Sequence, residues 1–506
     1  MAADQGSLER LKQELEDYIY SASQPVLLDG DGPPLHLAAH EWQLTLQFGK
    51  LVLEVWNSEH SFAWRVDELA YRRDGCLGLS VRRPGAHRVN TLELRQSSPR
   101  MPAPAEESRS AFRQELVAFL RNAFPEWKLD RVASRSDREH SFSIRYTRGL
   151  LRRGRVGWAF LGLGDSGSFA AADDALAYGL NWLDWLRETE NSCVVSGLKL
   201  FLPQSAVALT AHRAAYLDPK AVQIEIFECG SETGFWSPVD LADFGNVETH
   251  LTPRRRSQLW IDRHRNFLHS VFGKAIERTH LATDAAGSGV SIRILGLEIA
   301  RLEGDVVPRL TWGAEGNRKE YHQGQESEIQ KFVSEILDIR RPGSNRAKHD
   351  VYRAQPERWL ESLLVRDVTL LDPALNAGCV YPQVPAFSGG DRGVVDILTV
   401  LRDGRLAVIE LKLHEEITLP MQGLDYWLRV KWLNDRCQFQ NFGYFDGLQL
   451  AQAPPVLYLV SPAFRFHSTS QRIIRYLSRS VEVIQVGINH TWRHGVKILF
   501  RRALHP

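Results

Sequence analysis

The chain has 506 residues, 43% of them hydrophobic and 24% charged, with a formal net charge of +1. That length and composition describe a globular protein of two to four domains with sizeable cores, and exclude a disordered or low-complexity chain. The near-zero charge excludes a global electrostatic pull on nucleic acid, so any such binding must rest on local basic patches.

In chain order, Met1 to Tyr20 reads as a charged helix rather than a signal peptide. Residues 35–97 alternate apolar and polar side chains (Trp42, Leu44, Leu46; Leu51, Leu53, Val55), the period of a small antiparallel sheet. Helix and sheet together make an expected domain at 1–100. A Pro-rich linker at 97–110 leads into an α/β unit expected at 101–235. Within it, Gly162-Leu163-Gly164-Asp165-Ser166-Gly167 formally matches a dinucleotide loop. Such a loop must open a helix directly, and the small residues 168–172 intervene, so it is assigned to an ordinary strand–helix connection.

Residues 236–289 read as a basic helical connector. Leu259, Trp260, Phe267, Leu268, Val271, Phe272 and Ile276 recur at helical spacing. Seven lysines and arginines stand against two acids between 253 and 280. Arg254, Arg255, Arg256, Arg263, Arg265 and Lys274 are candidate phosphate-tracking residues, with a solvated helix face as the plainer reading. Residues 290–345 read as a second small β module, flanked by linkers at 283–289 and 313–324.

The final segment, 346–506, carries the chemistry. Pro356 opens a helix whose core stripe is Trp359, Leu360, Leu363 and Leu364, with Glu357 and Glu361 on a neighbouring face. Two strands follow, Asp396 to Val400 and Leu406 to Leu413. On the second, Glu410 and Lys412 share a face with Leu406 and Val408, while Ala407, Ile409, Leu411 and Leu413 fill the other. Both faces are mainly apolar, and buried charges cost several kcal/mol unless paired or bound to a cation, so Glu410 and Lys412 need a reason. A two-residue Asp403-Gly404 turn would set Asp396 opposite Leu411. A three-residue loop, Arg402-Asp403-Gly404 with Gly404 left-handed, sets it opposite Glu410. The functional reading requires the second.

Asp396 and Glu410 side by side would repel each other without a cation, and hard oxygen ligands select Mg²⁺ or Mn²⁺. Glu361 is the candidate third acid, and Lys412 the group that steadies developing negative charge. Leu419-Pro420 starts a further helix on which Gln422 and Tyr426, four apart, share one side. Arg472 and Arg475 beside this domain are a second basic patch.

The order helix Glu361, strand Asp396, Glu410-x-Lys412, then Gln422-x-x-x-Tyr426 resembles the PD-(D/E)xK nuclease superfamily, and the last element its RecB-like exonuclease branch. The resemblance covers roughly residues 350–490. It implies that Asp396 and Glu410 hold the metal, that Lys412 is catalytic, and that Gln422 and Tyr426 contact the substrate or the reacting water. It also implies DNA as the partner and suggests exonuclease action. Asp396 follows Val395 where the family often has proline, and no Walker motif accompanies the domain.

Internal similarity is the second feature. Arg152-Arg153-Gly154-Arg155-Val156 matches Arg402-Asp403-Gly404-Arg405-Leu406, and Tyr178-Gly179-Leu180-Asn181-Trp182 matches Gln422-Gly423-Leu424-Asp425-Tyr426. Leu200-Phe201-Leu202 matches Leu457-Tyr458-Leu459, and Tyr216-Leu217 matches Tyr476-Leu477. Through this alignment Phe160 and Gly162 stand for Glu410 and Lys412, with Arg145 or Tyr146 nearest to Asp396, so the first copy is expected to be catalytically dead.

The expected architecture is therefore a multidomain α/β protein. Its C-terminal domain is a restriction-endonuclease-like mixed sheet flanked by helices, preceded by a degenerate copy and by small β-rich modules. The expected activity is divalent-metal-dependent hydrolysis of phosphodiester bonds in nucleic acid. The rival is an inactive nucleic-acid-binding or partner-binding scaffold built from two such folds. Five scattered cysteines without zinc spacing, and no apolar run of membrane-crossing length, lead to an expected cytoplasmic location without a membrane partner.

Overall fold

The computed structural model describes residues 5–504 apart from 22–24, 30–34, 38–40, 48–49, 57–60, 74–75, 83–89, 97–103, 138, 165–168, 230–235, 244–248, 252–253, 284–288, 305–307, 314–317, 348 and 389–390. The second half of the glycine loop at 162–167 and much of the expected linkers fall outside these residues, as do the side chains of Arg255 and Arg256. Met1–Ala111 make one compact unit, and nearly all residues from Phe112 onward make a second.

In the first unit, helix α1 (Gln5–Ser21) precedes a seven-stranded antiparallel sheet. Its strands are β1 (Pro25–Asp29), β2 (Leu35–His36), β3 (Glu41–Gln47), β4 (Lys50–Trp56), β5 (Ser61–Arg73), β6 (Cys76–Arg82) and β7 (Asn90–Gln96), in the order β2-β1-β7-β6-β5-β4-β3. Alternation along the strands turns Leu51, Leu53, Val55, Leu77, Leu79, Val81, Leu92 and Leu94 inward, and Leu8, Leu15 and Ile19 on one side of α1 join that core.

The second unit contains two modules of one topology, so the duplication read from the sequence is present in the fold. In the first, α2 (Pro104–Ala123) precedes an antiparallel trio, β8 (Lys128–Ala133), β9 (Thr147–Arg153) and β10 (Val156–Gly162). Helices α3 (Phe169–Thr189) and α4 (Gln204–Ala214) then carry the chain to the parallel strands β11 (Val194–Pro203) and β12 (Gln223–Cys229), and β13 (Trp236–Pro238) closes the edge antiparallel.

Next come β14 (Thr249–Leu251), α5 (Arg254–Phe272), and a five-stranded antiparallel sheet. Its strands are β15 (His280–Thr283), β16 (Gly289–Ile294), β17 (Leu297–Glu303), β18 (Arg309–Trp312) and β19 (Lys319–Glu320), followed by α6 (Glu326–Ile339). The helix expected as a connector is part of this module. Trp260, Leu268, Val271 and Phe272 of α5 share a core with Val290, Ile292 and Ile299 of the sheet and with Ile329, Val333 and Ile336 of α6.

After α7 (Asp350–Arg353), the second copy runs α8 (Pro356–Arg366), then the antiparallel β20 (Tyr381–Ser388), β21 (Asp391–Val400) and β22 (Leu406–Leu411). Helices α9 (Leu419–Asp435), α10 (Gln438–Asn441) and α11 (Ser470–Ile474) lead into parallel β23 (Val456–Pro462) and β24 (Glu482–Ile488), and β25 (Ile498–Leu504) ends antiparallel. The second copy adds α10 between α9 and β23, and β14 pairs with the outer edge of β20. Helices α3 and α4 of the first copy and α9 of the second contribute to a single continuous core that includes Leu150, Leu180, Leu217, Leu398, Leu424 and Leu477. The other face of the second sheet, with Ile397, Ile409, Leu411 and Tyr458, packs on Trp359, Leu360 and Leu364 of α8.

Candidate metal centre and active site

The hairpin carrying the acids has the loop the functional reading requires. Val400 pairs with Leu406, the Leu401 N–H donates to the Arg405 carbonyl at 2.7 Å, and Gly404 lies left-handed at φ +87°. The register Ile397–Ile409, carried one residue further, sets Asp396 beside Glu410. There the Asp396 carboxylate takes the Leu411 backbone N–H at 3.0 Å.

Glu410 is buried, and Asp396 beside it is half-buried. Glu410 is 3% exposed, and burial, followed by the Asp396 charge, pushes its pKa well above the ordinary range. Asp396 is also raised, chiefly by burial, with the Leu411 N–H and the charges of Arg358 and Lys412 working the other way. Lys412 Nζ stands 3.8 Å from Glu410 Oε1 and 3.6 Å from Glu416 Oε2. Burial opposes the Lys412 charge, but Glu410, Glu416, Glu357 and Asp396 outweigh it and leave the ammonium more basic than usual. Glu410 Oε2 and Gln422 Oε1 are buried with no hydrogen-bond donor among the described residues. Burial, then the Glu410 and Asp396 charges, hold the Tyr426 phenol far above its ordinary pKa, so it remains a hydrogen-bond donor.

Glu361 reaches the same site from α8. Its Oε2 accepts from Arg358 at 3.0 Å and from the side-chain amide of Gln383 at 2.5 Å. Burial raises its pKa to about 8. The same Gln383 nitrogen makes a long contact of 3.4 Å with Asp396 Oδ1, so one amide spans two of the three predicted acids. Glu357 accepts the Leu413 N–H at 3.2 Å and adds its charge to the cluster. Neither Gln383 nor this use of Glu357 was read from the sequence. Among the described residues, no group of three or more His, Cys, Asp and Glu side chains converges as a metal-holding cluster.

The first copy differs from its alignment. Arg153 pairs with Val156, so its turn is the two residues Gly154-Arg155, one fewer than in the second copy. On β10 the equivalences move by one. The N–H of Leu163 donates to Phe201 as that of Lys412 does to Val460, at 2.9 and 3.0 Å. Gly179 lies against Leu198 and Leu200 as Gly423 does against Leu457 and Leu459. Leu161 and Leu163, not Phe160 and Gly162, therefore hold the places of Glu410 and Lys412, and Leu198–Leu200 replace Leu200–Leu202 in the match to β23. Phe160 faces the opposite side, in a core with Leu116, Leu120 and Phe201. Arg148, the partner of Leu161, holds the place of Asp396 instead of Arg145 or Tyr146. It is 4% exposed, and its guanidinium lies 4.5 Å from the Phe142 ring centre and 5.5 Å from that of Trp182, the counterpart of Tyr426. A buried cation thus stands where the second copy keeps an acid.

The predicted basic residues divide. Arg263, Arg265 and Lys274 are exposed, with Arg265 paired to Asp262 at 2.5 Å. Arg254 lies over the Tyr381 ring at 4.7 Å. Arg472 and Arg475 reach Asp184 of the first copy at 3.5 and 3.7 Å, which makes them contacts between the copies. No helix among the described residues is long and apolar enough to cross a membrane.

No protein-family model matches the sequence, and none of the curated proteins does. Among solved structures, the chain is similar to Can2 from Sulfobacillus thermosulfidooxidans in complex with cyclic tetra-adenylate. The two share 9% sequence identity over 64% of this chain and 96% of that one, with a TM-score of 0.14. A likeness that loose supports neither fold nor function.

Proposed function

We propose that the second copy is a divalent-metal-dependent nuclease of the PD-(D/E)xK kind, hydrolysing phosphodiester bonds in nucleic acid, with DNA the expected substrate. The observation that carries the reading is buried Glu410 beside half-buried Asp396, with Glu410 Oε2 left without a donor among the described residues and Lys412 at the end of the same strand. Two like carboxyls buried together are costly unless a proton or a cation lies between them. Buried polar atoms in folded proteins are almost always satisfied, so an orphaned carboxylate oxygen calls for a ligand.

The donor set fits Mg²⁺ or Mn²⁺, which bind through one or two carboxylates and otherwise keep water and substrate oxygens. Asp396 and Glu410 would hold the ion, and Glu361, already engaged by Arg358 and Gln383, would stand behind them. When bound, the ion would supply an activated water and charge neutralisation at the phosphate. The other steps fall to the protein. Lys412 brings a fixed positive charge to an otherwise acidic site, where it can stabilise the extra negative charge of the transition state. Tyr426 offers a phenolic donor, and the free Gln422 Oε1 offers an acceptor that can orient a water. The site lies at the carboxyl end of β22, beside parallel β23, where open α/β sheets bind their ligands. In the first copy, Arg148, Leu161 and Leu163 leave no carboxylate at the corresponding three positions, so one live site per chain is expected.

The test is cleavage of labelled single- and double-stranded DNA and RNA with Mn²⁺, Mg²⁺ or EDTA, comparing wild type with Lys412→Ala. Metal-dependent cleavage reduced at least about a hundredfold in the variant supports the assignment, and the product ladder separates exonuclease from endonuclease action. No cleavage, or equal cleavage by the variant, favours the inactive scaffold.

A further inference from the structure

Gln383 stands opposite Asp396 on β20. The β20–β21 ladder pairs Pro382 with Ile397 and Val384 with Val395, and skips the residue between. At that gap Gln383 has φ +54°, a left-handed conformation that costs a non-glycine residue about 1–2 kcal/mol. The first copy has a similar kink, with Arg131 at φ +55° where β8 loses register against β9. The two left-handed residues are used differently. Arg131 turns outward to Glu190 at 3.0 Å and lies over Trp185. Gln383 turns inward, and one amide nitrogen faces Glu361 Oε2 at 2.5 Å and Asp396 Oδ1 at 3.4 Å.

We infer that Gln383 is a positioning residue of the proposed metal site: its amide ties Glu361 to Asp396 and fixes which way the Asp396 carboxylate points. The inference rests on the nuclease reading and adds a residue that sequence order does not reveal. A neutral amide suits the task. It donates to both acids without neutralising either, whereas a lysine or arginine there would compete with the cation. Groups that orient a metal's direct ligands typically change affinity about 10–100-fold when removed.

Gly suits the left-handed backbone, so Gln383→Gly keeps the kink while deleting the amide. The test measures Mn²⁺ affinity by electron paramagnetic resonance, and the Tm without metal, for wild type, Gln383→Gly and Gln383→Ala. The expected result is Mn²⁺ binding weakened about tenfold or more in both variants, with the Gly variant melting at or above the wild-type temperature and above the Ala variant. Wild-type affinity in Gln383→Gly would overturn the inference while leaving the nuclease reading intact. A Gly variant that loses Tm along with affinity would make Gln383 merely structural and also overturn it. A wild type that binds no Mn²⁺ would overturn both.

Discussion

Leu217 and Leu477 face each other in an isolated antiparallel bridge, at corresponding positions of the two copies. Around them the Asp218 N–H donates to the Tyr476 carbonyl at 2.8 Å, and the Ser478 N–H donates to the Tyr216 carbonyl at 2.7 Å. The counterparts of each bonded pair are themselves bonded, as across the two-fold axis of a homodimer. The duplicated chain behaves here as a dimer with a covalent link. The symmetry stops at the side chains, because the Tyr476 hydroxyl donates to buried Asp184 at 2.8 Å and Arg472 and Arg475 lie near the same acid. Tyr476→Phe leaves Asp184 without that donor and should cost about 1–3 kcal/mol. Urea unfolding checks this, and an unchanged midpoint would contradict it.

The two hairpin glycines should respond differently to alanine. Gly154 has φ +59° and open space around a Cβ, so Gly154→Ala should cost about 1–2 kcal/mol for conformation alone. At Gly404, φ is +87° and a Cβ would also lie 2.5 Å from the Gln449 carbonyl oxygen. Gly404→Ala should therefore lower Tm more than Gly154→Ala, and should weaken activity because this loop sets Asp396 against Glu410. Equal losses in Tm would contradict the tight approach.

Glu361 makes stability depend on pH in a definite direction. Burial raises its pKa from 4.5 to about 8 in the folded protein. The folded state therefore holds its proton more tightly than the unfolded chain does, and stability from this group is greatest below about pH 4.5 and declines as pH rises toward 8. In EDTA, Glu361→Gln should be close to wild type in Tm at pH 5 and more stable by a few kcal/mol at pH 8. A variant less stable than wild type at pH 8 would contradict this assignment.

Arg148 offers a test of the silent copy. Its guanidinium packs on aromatic rings and donates to the Arg135 carbonyl at 2.8 Å, with no carboxylate bonded to it among the described residues. Arg148→Met should be nearly neutral, since an apolar side chain of similar length can fill the same space. Arg148→Asp would restore the acid type found at 396, yet bury it beside apolar Leu161. It should cost about 3 kcal/mol or more without producing a second site. A stable Arg148→Asp variant with added cleavage would overturn the description of the first copy.

The parts legible in the sequence were those tied to local chemistry. Gly404 suits either a two- or a three-residue loop, and the need to set Asp396 against Glu410 selected the three-residue loop that the fold has. Alternation gave the β modules, and the paired motifs gave the duplication. The first copy was misread by one residue because Ala159, Phe160 and Leu161 are all apolar, so a strand buried on both faces offers no pattern to fix the frame once the turn shortens. Gln383 was missed because nothing local marks a left-handed glutamine inside a strand. Arg472 and Arg475 read as a free basic patch because the acid that meets them, Asp184, lies almost three hundred residues away in sequence.

One cation site per chain, held by Asp396 and Glu410 and missing from the first copy, is what the proposed chemistry requires. Counting Mn²⁺ bound per chain by electron paramagnetic resonance, in wild type, Asp396→Asn and Glu410→Gln, tests it most directly. One bound ion is expected in the wild type and none in either variant, with each variant still folded by circular dichroism. No bound ion in the wild type, two ions, or one ion that survives both substitutions would contradict it.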